Sequence, residues 1–257
     1  MGRKFGILIK VFDSEEYADK FIQEGQLYCQ TIRDFKNIKD GNARGDPFEA
    51  PSEWMQPDQV SLTLSGTTAD GQPIPPRVLK DLSGPVIMQN NCFDRLNAYC
   101  MYAVKIPEFH VPEFHETYDS GESKQKVWAE LNALLEERAK LSDKILSFGE
   151  HAVIIPTVPA FIDRVRNFAK NLGHGVAHGL VDYFEEEKLS GQFTGLRPLF
   201  MKRKSYEHQS EFRFIFDSIH PEGPLILNIG PLHDLNAMKV KTKDINGMIQ
   251  MSLRDTD

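Results

Sequence analysis

The 257-residue sequence has little cysteine and tryptophan and no long apolar run. Cys29, Cys92 and Cys100 are odd in number and form no CxxC pair, which argues against a disulfide framework or a cysteine metal site. No apolar stretch approaches the roughly 20 residues that a membrane span requires. The common catalytic signatures are missing: there is no GxGxxG after a strand, no GxxxxGK[ST], no HExxH and no GxSxG. Their absence removes the commonest dinucleotide, nucleotide, zinc-protease and hydrolase readings. Bulk positive charge is lacking too, since 30 Lys and Arg against 37 Asp and Glu leave a net charge of −7. A protein held on nucleic acid or anionic lipid by clustered cations is therefore disfavoured.

What is present suits one soluble globular domain. Hydrophobic residues make up 40% and charged residues 26% of the chain, which excludes disorder and collagen. A chain of this size buries roughly three-quarters of its unfolded surface, so it folds without a metal or a disulfide. The start, Met1 to Phe12, faintly imitates a signal peptide, but Lys10 breaks the apolar run. Acidic residues then occupy the place of a small-residue cleavage site. Gly6 stands where a myristoylation signal has Ser or Thr. A reducing cytoplasm is the expected location.

Local patterning predicts an α+β domain with a mixed, largely antiparallel central sheet and flanking helices. Phe5 to Phe12 reads as a strand, Asp13 as the N-cap of a short helix with Glu16 three residues on, and Gly25 as its left-handed terminator. Leu27 to Ile32 is the second strand. Residues from Arg33 to Pro57 read as loop, and Gly66 to Pro76 as a glycine- and proline-bearing connection. Further strands are expected at Val60 to Leu64, Val86 to Met88, Tyr99 to Ile106, Ala152 to Ile155, Gly175 to Tyr183, Phe212 to Phe216 and Leu225 to Ile229. Helical spacing of Val127, Leu131, Leu134, Leu141 and Ile145 predicts one amphipathic helix over Ser123–Leu146. With the loop before it, this makes 107–150 an insertion within a single domain spanning 1–257. A second, more basic helix is expected over Phe161 to Leu172.

Three segments carry candidate chemistry. His174, His178 and Asp182 would share a helical face, but the surrounding glycines disfavour helix, and on a strand the same four-residue spacing separates the two histidines by about 13 Å. No metal is expected there. In Glu211 to Asp217, a two-residue period puts Phe212, Phe214 and Phe216 on a core face and Glu211, Arg213 and Asp217 on the other. That second face is either solvated, with a weak Glu–Arg pair, or the floor of a cleft where Glu211 acts on a ligand held by nearby cations. Lys202, Arg203 and Lys204 could receive phosphates or simply lie at the surface. The turn Gly45-Asp46-Pro47-Phe48-Glu49 either pins Phe48 to the core or delivers Asp46 and Glu49 to the cleft.

These motifs carry two resemblances. Leu27-Tyr28, Gly45-Asp-Pro-Phe-Glu49, Cys92-Phe93 and Phe200…Lys204…Glu207…Glu211-Phe-Arg213 together resemble an uncharacterised bacterial and phage-associated domain family. That family carries (N/G)DPFE early and K…ExEF/WR late. The strand–helix–strand opening and Gln209-Ser210-Glu211 are also similar to ADP-ribosyltransferases. In that family a split sheet opens with an Arg- or His-bearing strand and ends with a catalytic Glu two residues after Gln or Glu. The first strand here carries Lys10 at that place. This second resemblance implies an NAD-using enzyme, a toxin or phage–host conflict factor with a small-molecule or protein substrate. In it Glu211 would be the catalytic carboxylate with Gln209 beside it. Arg213 would orient Glu211, and Tyr28, Arg33, Lys202, Asp46 and Glu49 would be cofactor or substrate contacts. The alternative is a non-catalytic module binding a protein partner through the Ser123–Leu146 helix. A third possibility is a nuclease gathering Asp46, Glu49 and Glu211 around Mg²⁺, which the net charge disfavours.

Overall fold

The computed structural model describes residues 5–39, 44–80, 82–105, 121–218 and 223–249. Strand β1 (Phe5–Phe12) leads through α1 (Glu15–Glu24) to β2 (Gln26–Thr31). Ser14, rather than Asp13, caps α1: its hydroxyl accepts from the Tyr17 amide. Gly25 closes the helix in the left-handed region at φ +63°, a conformation glycine adopts without a Cβ clash. The chain from Arg33 is not all loop. Helix α2 (Ile32–Asn37) follows β2 directly, started by a capping box in which the Thr31 hydroxyl and the Asp34 carboxylate satisfy each other's backbone amides. Strand β3 (Pro51–Met55) then closes the segment.

A hairpin of β4 (Leu62–Thr67) and β5 (Pro73–Leu79) occupies what the prolines and glycines predict as a connection. Strands β6 (Val86–Gln89) and β7 (Asn97–Lys105) follow. The single helix expected over Ser123–Leu146 is two helices, α3 (Gly121–Ala139) and α4 (Asp143–Leu146), separated at Lys140–Ser142. Leu141 and Ile145 leave the α3 stripe and pack into a core with Ile9, Val104, Ala152 and Ile154. Of the loop expected over 107–122, the part before residue 121 lies outside the described residues. The remaining elements are β8 (His151–Ile155), α5 (Val158–Asn171), β9 (Gly175–Leu180), β10 (Asp182–Phe184), β11 (Gly191–Gln192), β12 (Met201–Arg203), β13 (Glu211–Asp217), β14 (Leu225–Asn228) and β15 (Met238–Lys241). No described helix is long and apolar enough to cross a membrane.

The fold is α+β, built on a mostly antiparallel eight-stranded sheet. Strand β7 is its hub. Along one edge it pairs with β13, from Glu211 opposite Tyr102 to Phe216 opposite Asn97. The other edge is shared: β1 takes Tyr102 to Lys105, and β2 takes Asn97 and Ala98. Tyr99, Cys100 and Met101 have no strand partner on that edge among the described residues. The sheet therefore forks into two wings, β1–β8–β15 and β2–β14. Helices α1 and α5 cover one face, where Phe21, Phe161 and Val165 pack on Leu8, Tyr99, Met101, Phe212, Phe214 and Phe216. The large side chains of β13 alternate onto this face as their two-residue period requires. A satellite core of Trp54, Phe184, Phe193 and Met201, with Phe48 against it, joins β3, β10 and β12 to the body.

Candidate functional site

The turn beginning at Asp46 is organised by its own side chain. Asp46 Oδ1 accepts the Phe48 amide at 3.0 Å, and the Asp46 carbonyl accepts the Glu49 amide at 2.9 Å, the Asx-turn geometry that aspartate favours before proline. Gln89 Nε2 donates to the carbonyls of Pro47 and Glu49 and holds the turn from β6. Gly45 packs so closely on the Ile38 carbonyl that a Cβ would collide with it. The turn therefore requires glycine at this position.

The two sequence motifs dock on one another. The Arg203 guanidinium donates from Nε to Asp46 Oδ1 at 3.0 Å, and its Nη2 lies 2.8 Å from the same oxygen in an ion pair. It also lies over the rings of Phe48 and Tyr206, 4.9 and 5.2 Å from their centroids. Three residues on, Glu49 is fully buried. Its Oε1 accepts from Arg213 Nη1 at 2.6 Å, and its Oε2 lies 3.4 Å from Lys202 Nζ. Arg213 donates from Nε to Glu211 Oε1 at 2.6 Å and from Nη1 to the Leu199 carbonyl at 2.7 Å. Lys202 Nζ donates to Gln209 Oε1 at 2.8 Å and sits 3.5 Å from Glu211 Oε2. Two carboxylates and two cations thus form a closed, charge-balanced ring out of water, the condition under which buried charge is tolerated.

The ring fixes the protonation of Glu211 and Lys202. Burial alone would raise the Glu211 pKa, but Arg213 and Lys202 outweigh it and hold the carboxyl down to about 2. Burial works against the Lys202 ammonium as well, yet Glu49 and Glu211 hold its pKa above the ordinary lysine value. Burial, then the Glu211 charge, pushes the Cys100 thiol up to about 12, so this cysteine is a neutral wall group and no thiolate nucleophile.

Glu211, Gln209 and Lys202 form part of the wall of a cavity of about 770 Å³ that fills the fork of the sheet. Strand β1 contributes Lys10, β2 contributes Tyr28 and Gln30, and β7 contributes Tyr99 to Tyr102. Lys10 Nζ donates to the Cys100 carbonyl at 2.8 Å and lies 4.5 Å from the Tyr99 ring centroid. It thereby satisfies a carbonyl at the point where β7 lacks a neighbour. Burial lowers the Lys10 pKa. Arg44 stacks over Phe148 at 5.4 Å on the same cavity wall. A second cavity of about 860 Å³ adjoins the first, sharing Tyr28, Gln30 and Ile38, and contains Arg33.

The predicted site residues therefore separate into three sets. Glu211, Gln209, Lys202 and Tyr28 line the fork cavity. Arg213, Asp46 and Glu49 do not line either cavity; they are buried behind the wall, where Asp46 and Glu49 hold Arg203, Arg213 and Lys202. Arg33 is at neither the ring nor the fork but in the second cavity. The solvated alternative for the Glu211–Arg213 face is corrected: Arg213 is 1% exposed and Glu211 5%. Lys202 and Arg203 turn inward as ion pairs, and only Lys204 meets Glu185 at the surface. His178 packs against Phe212 and Phe214, and no cluster of three His, Cys, Asp or Glu with metal-holding geometry occurs among the described residues. Lys10, Arg44, Tyr102 and Phe148 gave no sequence signal as one group, because they come from four separate segments. Compared with protein-family profiles, curated proteins and solved structures, the chain finds no match.

Proposed function

We propose that the protein is an ADP-ribosyltransferase-like enzyme that cleaves the bond between nicotinamide and ribose in NAD. The observation carrying this reading is that Gln209 and Glu211, two residues apart, both line one cavity in the fork of a split sheet. Ser210 between them adopts a left-handed conformation at φ +39° and anchors its hydroxyl to the Ala103 carbonyl at 2.7 Å. Non-glycine residues held in that region store strain that the surroundings must offset, a feature common at functional sites.

In this reading NAD binds with its ribose facing Glu211. The bond to nicotinamide breaks with its electron pair leaving on the ring nitrogen. Positive charge develops on the ribose, and the Glu211 carboxylate, ionised in advance by Arg213 and Lys202, stabilises it. Water or an acceptor side chain forms the new C–O bond and gives up its proton to solvent. Glu49 acts at one remove as a positioning residue, clamping Arg213. Lys10 and Arg44, outside the charge-balanced ring, give the cavity a cationic lining against the protein's overall sign, which suits a pyrophosphate. Tyr28, half exposed on the ridge between the two cavities, offers a stacking face. Calorimetric titration with NAD should show binding, and Tyr28→Ala should weaken it by about 1–3 kcal/mol, the usual worth of base stacking. Absence of heat with both NAD and ADP-ribose would contradict the proposal.

A further inference from the structure

The β4–β5 hairpin projects outside both the main sheet and the cavities. It forms a two-stranded sheet of its own, and every residue of β4 is exposed. Leu62 and Leu79 are directly opposed, so Leu62, Leu64 and Leu79 share one face; across a register shift Ile74 stands opposite Gly66 on that same face, while Val78 lies on the other. Leu62, Leu64, Ile74 and Val78 each expose roughly half of their surface. An isolated two-stranded hairpin with apolar groups on both faces is marginal in water, so this element gains by acquiring a third strand.

Its two edges differ. Strand β5 contains Pro73, Pro75 and Pro76. Three of its seven residues thus lack an amide donor, and a charge, Arg77, lies among them, the features that blunt an edge against strand addition. Strand β4, Leu-Thr-Leu-Ser-Gly-Thr, has neither proline nor charge, and its outer edge is unpaired among the described residues. We propose that this edge pairs with the same edge of a second copy of the chain, making a four-stranded antiparallel sheet about a two-fold axis.

Charge and closure both select this occupant. The chain carries a net −7, so two copies repel least where neither presents charge, and β4 against β4 brings together no ionised group. The prolines of β5 then terminate the sheet at both ends, which closes the assembly as a dimer instead of an open fibre. The pairing is independent of any activity in the fork cavity.

Sedimentation equilibrium of the full chain, from low micromolar to the highest soluble concentration, tests it. The expected result is a reversible monomer–dimer equilibrium, with hydrogen exchange of the β4 amides slowing as dimer forms and β5 unaffected. Leu62→Lys with Leu64→Lys, at exposed positions, should shift dissociation at least tenfold toward monomer without changing the unfolding temperature of the monomer. A chain that stays monomeric throughout would overturn the proposal. So would a dimer that survives the double substitution or leaves β4 exchange unchanged.

Discussion

Glu211 owes its ionisation to neighbours that the chain supplies from far away. Arg213 is two residues along the same strand, but Lys202 comes from β12 and Glu49 from a turn more than 150 positions earlier. Removing one charge from such a ring leaves the others uncompensated. Glu211→Gln is expected to cost about 3–5 kcal/mol at neutral pH. Adding Lys202→Met restores neutrality and should recover part of that loss. The pH dependence has a fixed sign. Because the folded pKa of Glu211 lies below its ordinary value, its stabilisation is complete above pH 4.5 and disappears as pH falls through about 2. Urea unfolding of wild type and Glu211→Gln should therefore differ most near neutrality and converge on acidification across that window. A constant difference would mean that Glu211 is not ion-paired in the native protein.

At the scale of elements, short-range chemistry was legible and long-range closure was not. The opening strand–helix–strand unit follows from apolar periodicity and from Gly25, and the alternation of Phe212, Phe214 and Phe216 places β13 correctly against the core. Helix α2 escapes such a reading because its capping box uses Asp34 in place of the usual Glu or Gln, and six residues show no periodicity. The split of the expected 123–146 helix escapes it because Leu141 and Ile145 keep helical spacing while answering to a different core. Arg213 was legible as sharing a face with Glu211. Its burial was not, since the cover comes from Glu49 and Leu199. The capping box has a measurable worth: Thr31→Ala should cost about 1 kcal/mol in chemical denaturation. Because α2 carries Arg33 into the second cavity, hydrogen exchange should quicken there and not in β13. Equal acceleration of both elements would argue against an independently capped helix.

For the whole molecule, net charge is a poor guide to the site. The chain is acidic at −7, yet Lys10, Arg44 and Lys202 converge on one cavity in a fork that exists because β7 serves two strands along a single edge. The fork brings β1, β2, β7 and β13 together without any contiguous signature in the sequence, and the geometry offers a shaped, charged recess. We propose that Glu211 acts there on the glycosidic bond of NAD. The most direct test is nicotinamide release from NAD by three proteins at matched folded concentration: wild type, Glu211→Gln, and Glu211→Gln with Lys202→Met. Release by wild type is expected, with at least a hundredfold loss in both variants, including the charge-balanced one, and with NAD binding retained by Glu211→Gln. Release by Glu211→Gln at the wild-type rate, or none by wild type that binds NAD, would contradict it.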